Sequence, residues 1–196
     1  MRLSRPFDDV FATGSHIRVL RALDSLPEGV GASGREVARR AGVSAPTARE
    51  VLAGLVAQGI VSVKRGLKTA SYRLNRDHIL SATVRDLFAR ERSLPKEFAH
   101  DVATAIRKEP DVKEAYLFGS AARGDMLPTS DVDIAIVSGK AAPEGSAALD
   151  AVATKYGNRV NLIRLRRGRG SGLRERIRVE GKALPLSRAR RAYGKS

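Results

Sequence analysis

Two acidic residues inside a β-branched run constrain this chain more than any other feature. Ser130-Asp131-Val132-Asp133-Ile134-Ala135-Ile136-Val137 has the composition of a strand. Strand side chains repeat with period two, so Asp131 and Asp133 share one face while Val132, Ile134 and Ile136 take the other. Two carboxylates side by side repel, and a sequence tolerates this where a divalent cation lies between them. Hard oxygen ligands suit Mg²⁺ bound together with phosphates. A second strand is read upstream, ending at Leu117-Phe118. Gly119 and Ser120 follow it, small enough for a backbone to approach phosphate oxygens closely. A lone Asp-x-Asp in a strand is more often a solvated edge. The weight therefore rests on the combination with Gly119-Ser120, eleven residues ahead of Asp131.

Gly119-Ser120, a spacer carrying Ala122-Arg123-Gly124, and Ser130-Asp131-x-Asp133 together resemble the signature of minimal nucleotidyltransferases of the DNA polymerase β-like superfamily. The resemblance runs over roughly residues 95–186. It implies transfer of a nucleoside monophosphate from an NTP to an acceptor, with release of pyrophosphate. By the same resemblance Gly119, Ser120, Arg123 and Ser130 bind the nucleotide, and Asp131 and Asp133 hold Mg²⁺. The superfamily adds a third carboxylate on a later strand. Here that position, between Val160 and Leu162, is Asn161. Asparagine offers a carbonyl oxygen without charge and cannot act as a base. The expectation is a catalytic set of Asp131, Asp133 and Asn161 that binds Mg-NTP and transfers slowly or not at all. Asp125 and Asp150 are acidic alternatives that do not match the motif.

The N-terminal half has a different rhythm. Residues 1–12 read as a loosely ordered lead-in. Ile17, Leu20, Leu23 and Leu26 recur at helical spacing, and Pro27-Glu28-Gly29 ends that helix. Ser33-Gly34-Arg35-Glu36 reads as a capping box, the serine bonding forward and the glutamate reaching back. Ser44 caps a third helix that ends near Gly59. Ile60 to Val63 and Ser71 to Leu74 alternate as a hairpin around the basic turn Lys64-Arg65-Gly66-Leu67-Lys68-Thr69.

Three helices and a hairpin in this order, bent at Ala41-Gly42-Val43-Ser44, resemble a winged helix-turn-helix domain. The resemblance implies DNA as partner. It puts Ser44, Pro46, Thr47 and Arg49 at the start of the reading helix and Lys64, Arg65 and Lys68 on the wing. Winged helices also serve as protein-docking modules. Those that bind DNA often do so as dimers, and a homodimer is compatible with this reading.

The fold class expected is α+β: a winged helix-turn-helix domain over 1–76, a connecting helix over 77–94, and a small α/β nucleotidyltransferase domain with a mixed sheet over 95–186. Pro95 is read as opening the first helix of that domain, and 187–196 as a disordered basic tail. Charge follows the division. Residues 1–90 carry a net +7, 91–158 a net −3 and 159–196 a net +11, so the acidic pair lies in the acidic stretch and both ends suit nucleic acid. The basic loop Arg166-Arg167-Gly168-Arg169 lies beyond the third strand of the catalytic fold, where an acceptor would enter. The absence of cysteine excludes disulfides, thiolate metal sites and a cysteine nucleophile. His16, His78 and His100 lack metal-ligand spacing. No apolar run reaches membrane-spanning length, and a cytoplasmic protein without membrane partners is expected. Two functions stay open. One is a DNA-binding nucleotidyltransferase acting on a protein, an RNA or a small molecule, as toxin–antitoxin modules of the superfamily do. The other is a transcriptional regulator whose degenerate nucleotidyltransferase domain senses nucleotide or a partner.

Overall fold

The computed structural model describes residues 5–67, 69–109, 111–124, 130–139, 146–166 and 171–186. Lys68, Asp125, the loop arginines Arg167 and Arg169, and the tail 187–196 lie outside the described residues, as does the side chain of Arg166. The chain divides into two compact units, Met1–Arg92 and Ser93–Ser196. Among the described residues no helix is long and apolar enough to cross a membrane.

The first unit opens with one helical turn, α1 (Phe7–Val10). Val10 is fully buried and Phe7 stacks on Phe11 at 5.6 Å, so the lead-in expected to be loose is anchored by burial of apolar side chains. Helix α2 (Gly14–Asp24) starts at the Thr13 cap and buries Val19, Leu20 and Leu23. The short strand β1 (Ala32–Ser33) leads into α3 (Gly34–Ala41), which ends on Gly42 at φ 61°, the left-handed conformation that a glycine accepts without strain. Helix α4 (Ala45–Ala57) follows. The hairpin β2 (Val61–Arg65) and β3 (Ala70–Leu74) pairs Val63 with Tyr72, and β1 adds to the other edge of β3. One core joins these elements around Leu20, Leu52, Leu55 and Phe88.

Half of the expected capping box forms. Ser33 Oγ accepts from the Glu36 amide at 3.2 Å. The Glu36 carboxylate, however, accepts from Arg39 Nε at 2.9 Å, Arg39 Nη2 at 2.6 Å and Arg40 Nε at 2.6 Å. Charge-assisted bonds to two guanidinia outcompete a bond to a neutral amide. They hold the Glu36 carboxyl down at about 2, Arg39 contributing most and Arg40 next.

A second departure concerns Pro95. Helix α5 runs from Ser81 to Ile106 with Pro95 in its interior, where two helices separated near residues 93–94 were expected. Within the first unit, Glu91 of α5 takes two hydrogen bonds from Arg21 of α2, at 2.7 and 2.8 Å, and Arg92 donates to Asp24 at 2.6 Å.

The second unit is a four-stranded mixed sheet of order β6-β5-β4-β7. It comprises β4 (Val112–Phe118), β5 (Val132–Ser138), β6 (Val160–Arg166) and β7 (Lys182–Ala183), with α6 (Gly119–Arg123), α7 (Ala147–Tyr156) and α8 (Ser171–Glu180) between them. β4 runs antiparallel to β5 and β7, while β5 and β6 are parallel. With the first unit this makes an α+β fold, as expected. One sheet face carries Leu117, Ile134 and Ile136 and is covered by Val102 and Ile106 of α5 and Leu149 of α7. Asp101 ties these two helices together: it accepts from Lys155 Nζ at 2.6 Å and from the Tyr156 hydroxyl at 2.8 Å. Those bonds, Lys155 first, hold the Asp101 carboxyl below its usual range, while burial raises the Tyr156 phenol.

Candidate active site and candidate nucleic-acid interface

The carboxylate pair stands at the beginning of β5, the strand flanked by β4 and β6. Period two sends Val132, Ile134 and Ile136 into the core and leaves Asp131 and Asp133 on the opposite face. Asp131 is exposed and Asp133 half-buried. The strand start is clipped to its parallel neighbour by the Val132 amide, which donates to the Arg159 carbonyl at 2.7 Å.

Three strands converge on Asp133. Across the antiparallel ladder it pairs with Phe118, the last residue of β4, and across the parallel ladder with Asn161 of β6. The Asn161 Nδ2 donates to Asp133 Oδ1 at 3.0 Å. Gly119 follows Phe118 with φ 65°, and a Cβ built there would lie 2.5 Å from Asp133 Oδ2. Glycine is therefore favoured twice at this position, for its backbone conformation and for the space that the Asp133 carboxylate takes as it stands. Gly119 begins the five-residue helix α6, which carries Ser120, half-buried, and Arg123, exposed, and ends on Gly124 at φ 81°. Ser130 immediately precedes the acidic pair and is half-buried.

The structure thus gathers Gly119, Asp133 and Asn161, with Asp131 two residues away on the same face. Asp150 belongs to the first turn of α7, and α7 packs against the other face of the sheet. It does not stand in for a third carboxylate. Among the described residues no group of three or more His, Cys, Asp or Glu side chains is assembled for a metal ion. The donor set of two carboxylates and one amide on one sheet face nevertheless fits Mg²⁺, which takes few protein ligands and fills its octahedron with phosphate oxygens and water.

In the first unit, Ser44 caps α4. Its Oγ accepts from the Thr47 amide at 3.2 Å and shares a hydrogen bond with Thr47 Oγ1 at 2.7 Å. These two hydroxyls, expected at the reading surface, are occupied with each other and with the cap. Pro46 sits in the first turn, where its missing N–H costs nothing. Arg49 lies one turn further along and is exposed. Lys64 and Arg65 are the exposed last residues of β2. Arg49, Lys64 and Arg65 have no carboxylate partner among the described residues. Arg35, in the first turn of α3, shares this property and is missing from the residues that the sequence singled out. The available signal was Glu36: its three- and four-residue spacing to Arg39 and Arg40 neutralises those two and leaves Arg35 over.

Two family models match the chain: the IclR helix-turn-helix domain over residues 17–65 and a nucleotidyltransferase domain over residues 101–186. Among curated proteins none matches it. Several solved structures resemble part of it, three of them as follows. A toxin–antitoxin crystal structure with AMP-PNP is 24% identical, with a TM-score of 0.39, over 46% of this chain and 74% of that one. A predicted DNA-binding transcriptional regulator from E. coli is 18% identical, with a TM-score of 0.36, over 45% and 83%. The tri-AMPylated Shewanella oneidensis HEPN toxin in complex with MNT antitoxin is 21% identical, with a TM-score of 0.37, over 47% and 73%. The chain thus carries a helix-turn-helix domain of the IclR type followed by a nucleotidyltransferase domain.

Proposed function

We propose that this chain binds duplex DNA through its helix-turn-helix unit and a magnesium-bound nucleoside triphosphate at the Asp131–Asp133 edge of its second unit. The observation that carries the nucleotide half is the convergence of Gly119, Asp133 and Asn161. A carboxylate is packed against a glycine in the left-handed conformation, at the end of a strand whose next residues can approach phosphate oxygens. Gly119 and Ser120 hold the triphosphate, Arg123 and Ser130 assist, and Asp131 and Asp133 hold the cation. Mg²⁺, when bound, neutralises phosphate charge and polarises the phosphorus under attack. In the transfer itself an acceptor hydroxyl oxygen bonds to the α-phosphorus. The α–β phosphoanhydride bond breaks, pyrophosphate leaves with its electron pair, and the hydroxyl proton passes to solvent.

Asn161 limits this reaction. Its amide adds no negative charge beside the cation and takes no proton, so the step that activates the acceptor is slow. A protein, an RNA or a small molecule remains the acceptor class. The second reading, a transcriptional regulator that senses nucleotide, is favoured by this same residue. An amide donating to Asp133 leaves a site able to bind and poorly able to transfer.

Calorimetric titration of ATP and GTP, with and without Mg²⁺, tests both readings. Magnesium-dependent binding to the wild type, abolished by Asp131→Ala with Asp133→Ala, is expected. Absence of binding to the wild type would overturn the nucleotide half. Incubation with α-labelled NTP then separates the readings: labelled macromolecule or small acceptor supports transfer, and saturable binding without label supports sensing. DNA binding is tested by gel shift against genomic fragments, its own promoter included. Failure to prefer any sequence at physiological salt would count against the regulator, because charge alone supplies nonspecific binding.

A further inference from the structure

A cavity of about 440 Å³ opens in the first unit between the start of α3, α4 and the wing strand β3. Its floor is apolar, with Leu52 and Ala45 from α4, and Tyr72 and Thr69 flank it from the wing side. Arg35 and Arg49 reach it from two different helices. Both arginines are exposed, and neither has a hydrogen-bond or ion-pair partner among the described residues; nor does the Tyr72 hydroxyl. The neighbouring cations behave differently. Arg39 and Arg40 are both held by Glu36, the carboxylate next to Arg35 in the sequence.

A backbone phosphate of a duplex would need only the two guanidinia. Tyr72 is partly buried and packs on the core, so the part of its ring that lines the groove, together with the apolar floor, asks for a flat apolar body attached to the anion. The volume falls within the span of about 300–1,000 Å³ that small-ligand sites take. We infer that this groove binds a free nucleoside monophosphate, its phosphate held by Arg35 and Arg49 and its base laid against Tyr72. Arg49 is also the side chain proposed above to reach DNA. Nucleotide and duplex therefore compete for it, and the nucleotide releases the DNA; this consequence, unlike the binding itself, rests on the DNA-binding reading.

The test uses the full chain with Asp131→Ala and Asp133→Ala, in EDTA, so that the magnesium-dependent site is silent. AMP and GMP are titrated calorimetrically. One saturable site is expected, weakened about tenfold or more by Arg35→Ala through loss of a charge-assisted contact. Tyr72→Phe retains the ring and leaves most of the affinity, while Tyr72→Leu loses about tenfold with the stacking. Because Arg35 is exposed and has no partner among the described residues, its variant reports on the ligand rather than on folding. Absence of AMP and GMP binding, or binding that Arg35→Ala leaves unchanged, overturns the inference. Arg35-dependent binding of oligo(dT) without binding of mononucleotide also overturns it, assigning the groove to a strand. A fluorescent duplex displaced by AMP supports the competition. A duplex that never binds while AMP does removes the DNA-binding reading and leaves the nucleotide site standing.

Discussion

At Gly119 a backbone and a carboxylate claim the same space. The residue has φ 65°, and its absent Cβ would meet Asp133 Oδ2 at 2.5 Å. Alanine in the left-handed region costs roughly 1–2 kcal/mol. The contact itself is relieved when the Asp133 side chain turns away, because a terminal oxygen moves more easily than a strand. Gly119→Ala should therefore lower stability by only about 1–2 kcal/mol while abolishing magnesium-dependent nucleotide binding. Thermal unfolding and calorimetry on the same preparation check this, and a variant that still binds nucleotide would show that Asp133 has room to spare. Asn161 poses the converse problem. Its Nδ2 donates to Asp133 Oδ1 at 3.0 Å, so Asn161→Asp replaces a hydrogen bond with two facing carboxylates. Loss of this exposed bond together with screened like-charge repulsion should destabilise the variant by about 1 kcal/mol in EDTA. Magnesium should restore that stability and raise transfer, since the cation then sits between three carboxylates. Unfolding curves with and without Mg²⁺ measure this; identical shifts in both would mean that residue 161 does not face a cation site.

Helix α3 shows how an element's charge pattern governs its response to acid. Glu36 ionises at about 2 instead of 4.5 because Arg39, and after it Arg40, hydrogen-bond the carboxylate. A carboxyl whose folded value is depressed contributes stability that is complete above its unfolded value and disappears as pH falls through the folded one. The contribution of this cluster should therefore fade between about pH 4.5 and about pH 2. Glu36→Gln should flatten the acid-unfolding profile in that window and leave the neutral-pH profile parallel to wild type; an unchanged acid limb would show that other carboxyls govern it. Local pattern was a good guide at this scale wherever one period dominates. Ser44 before Ala45-Pro46 announces α4, the apolar run up to Phe118 announces the end of β4, and the β-branched run from Val132 announces β5. It misled where one residue type has two uses. Proline suits the first turn of a helix and also breaks an interior, so Pro95 reads as a beginning although α5 continues through it. The seventy-residue separation of Arg21 from Glu91 cannot be read from spacing. At the candidate site, Asn161 was legible only through the family resemblance, as the position of the third carboxylate; its register against Asp133 and the orientation of its amide depend on strand pairing and a hydrogen bond that no local pattern encodes.

For the whole molecule, the distribution of charge says less than the distribution of unpaired charge. The chain carries a net +15, a value that by itself promises nonspecific attraction to any polyanion. The structure divides its cations into two populations. Arg39 and Arg40 share Glu36, Arg21 is held by Glu91, and Arg92 by Asp24. Arg35, Arg49, Lys64 and Arg65 have no such partner among the described residues. Binding to DNA draws its salt dependence from counterions released when a cation meets a phosphate, about 0.9 in the logarithmic slope for each contact. A cation already neutralised by a neighbouring carboxylate releases little, because the anion must first be given up. Arg65→Ala should therefore reduce the slope of log K against log salt by about one, whereas Arg39→Ala should leave it within error of wild type even though the two substitutions change net charge equally. Fluorescence anisotropy of a labelled duplex, titrated at several salt concentrations with both full-length variants, distinguishes the cases. Equal loss of slope in the two variants would mean that total charge governs the encounter. Unequal loss in the predicted direction would mean that the ion pairs of α3 select which arginines the DNA meets.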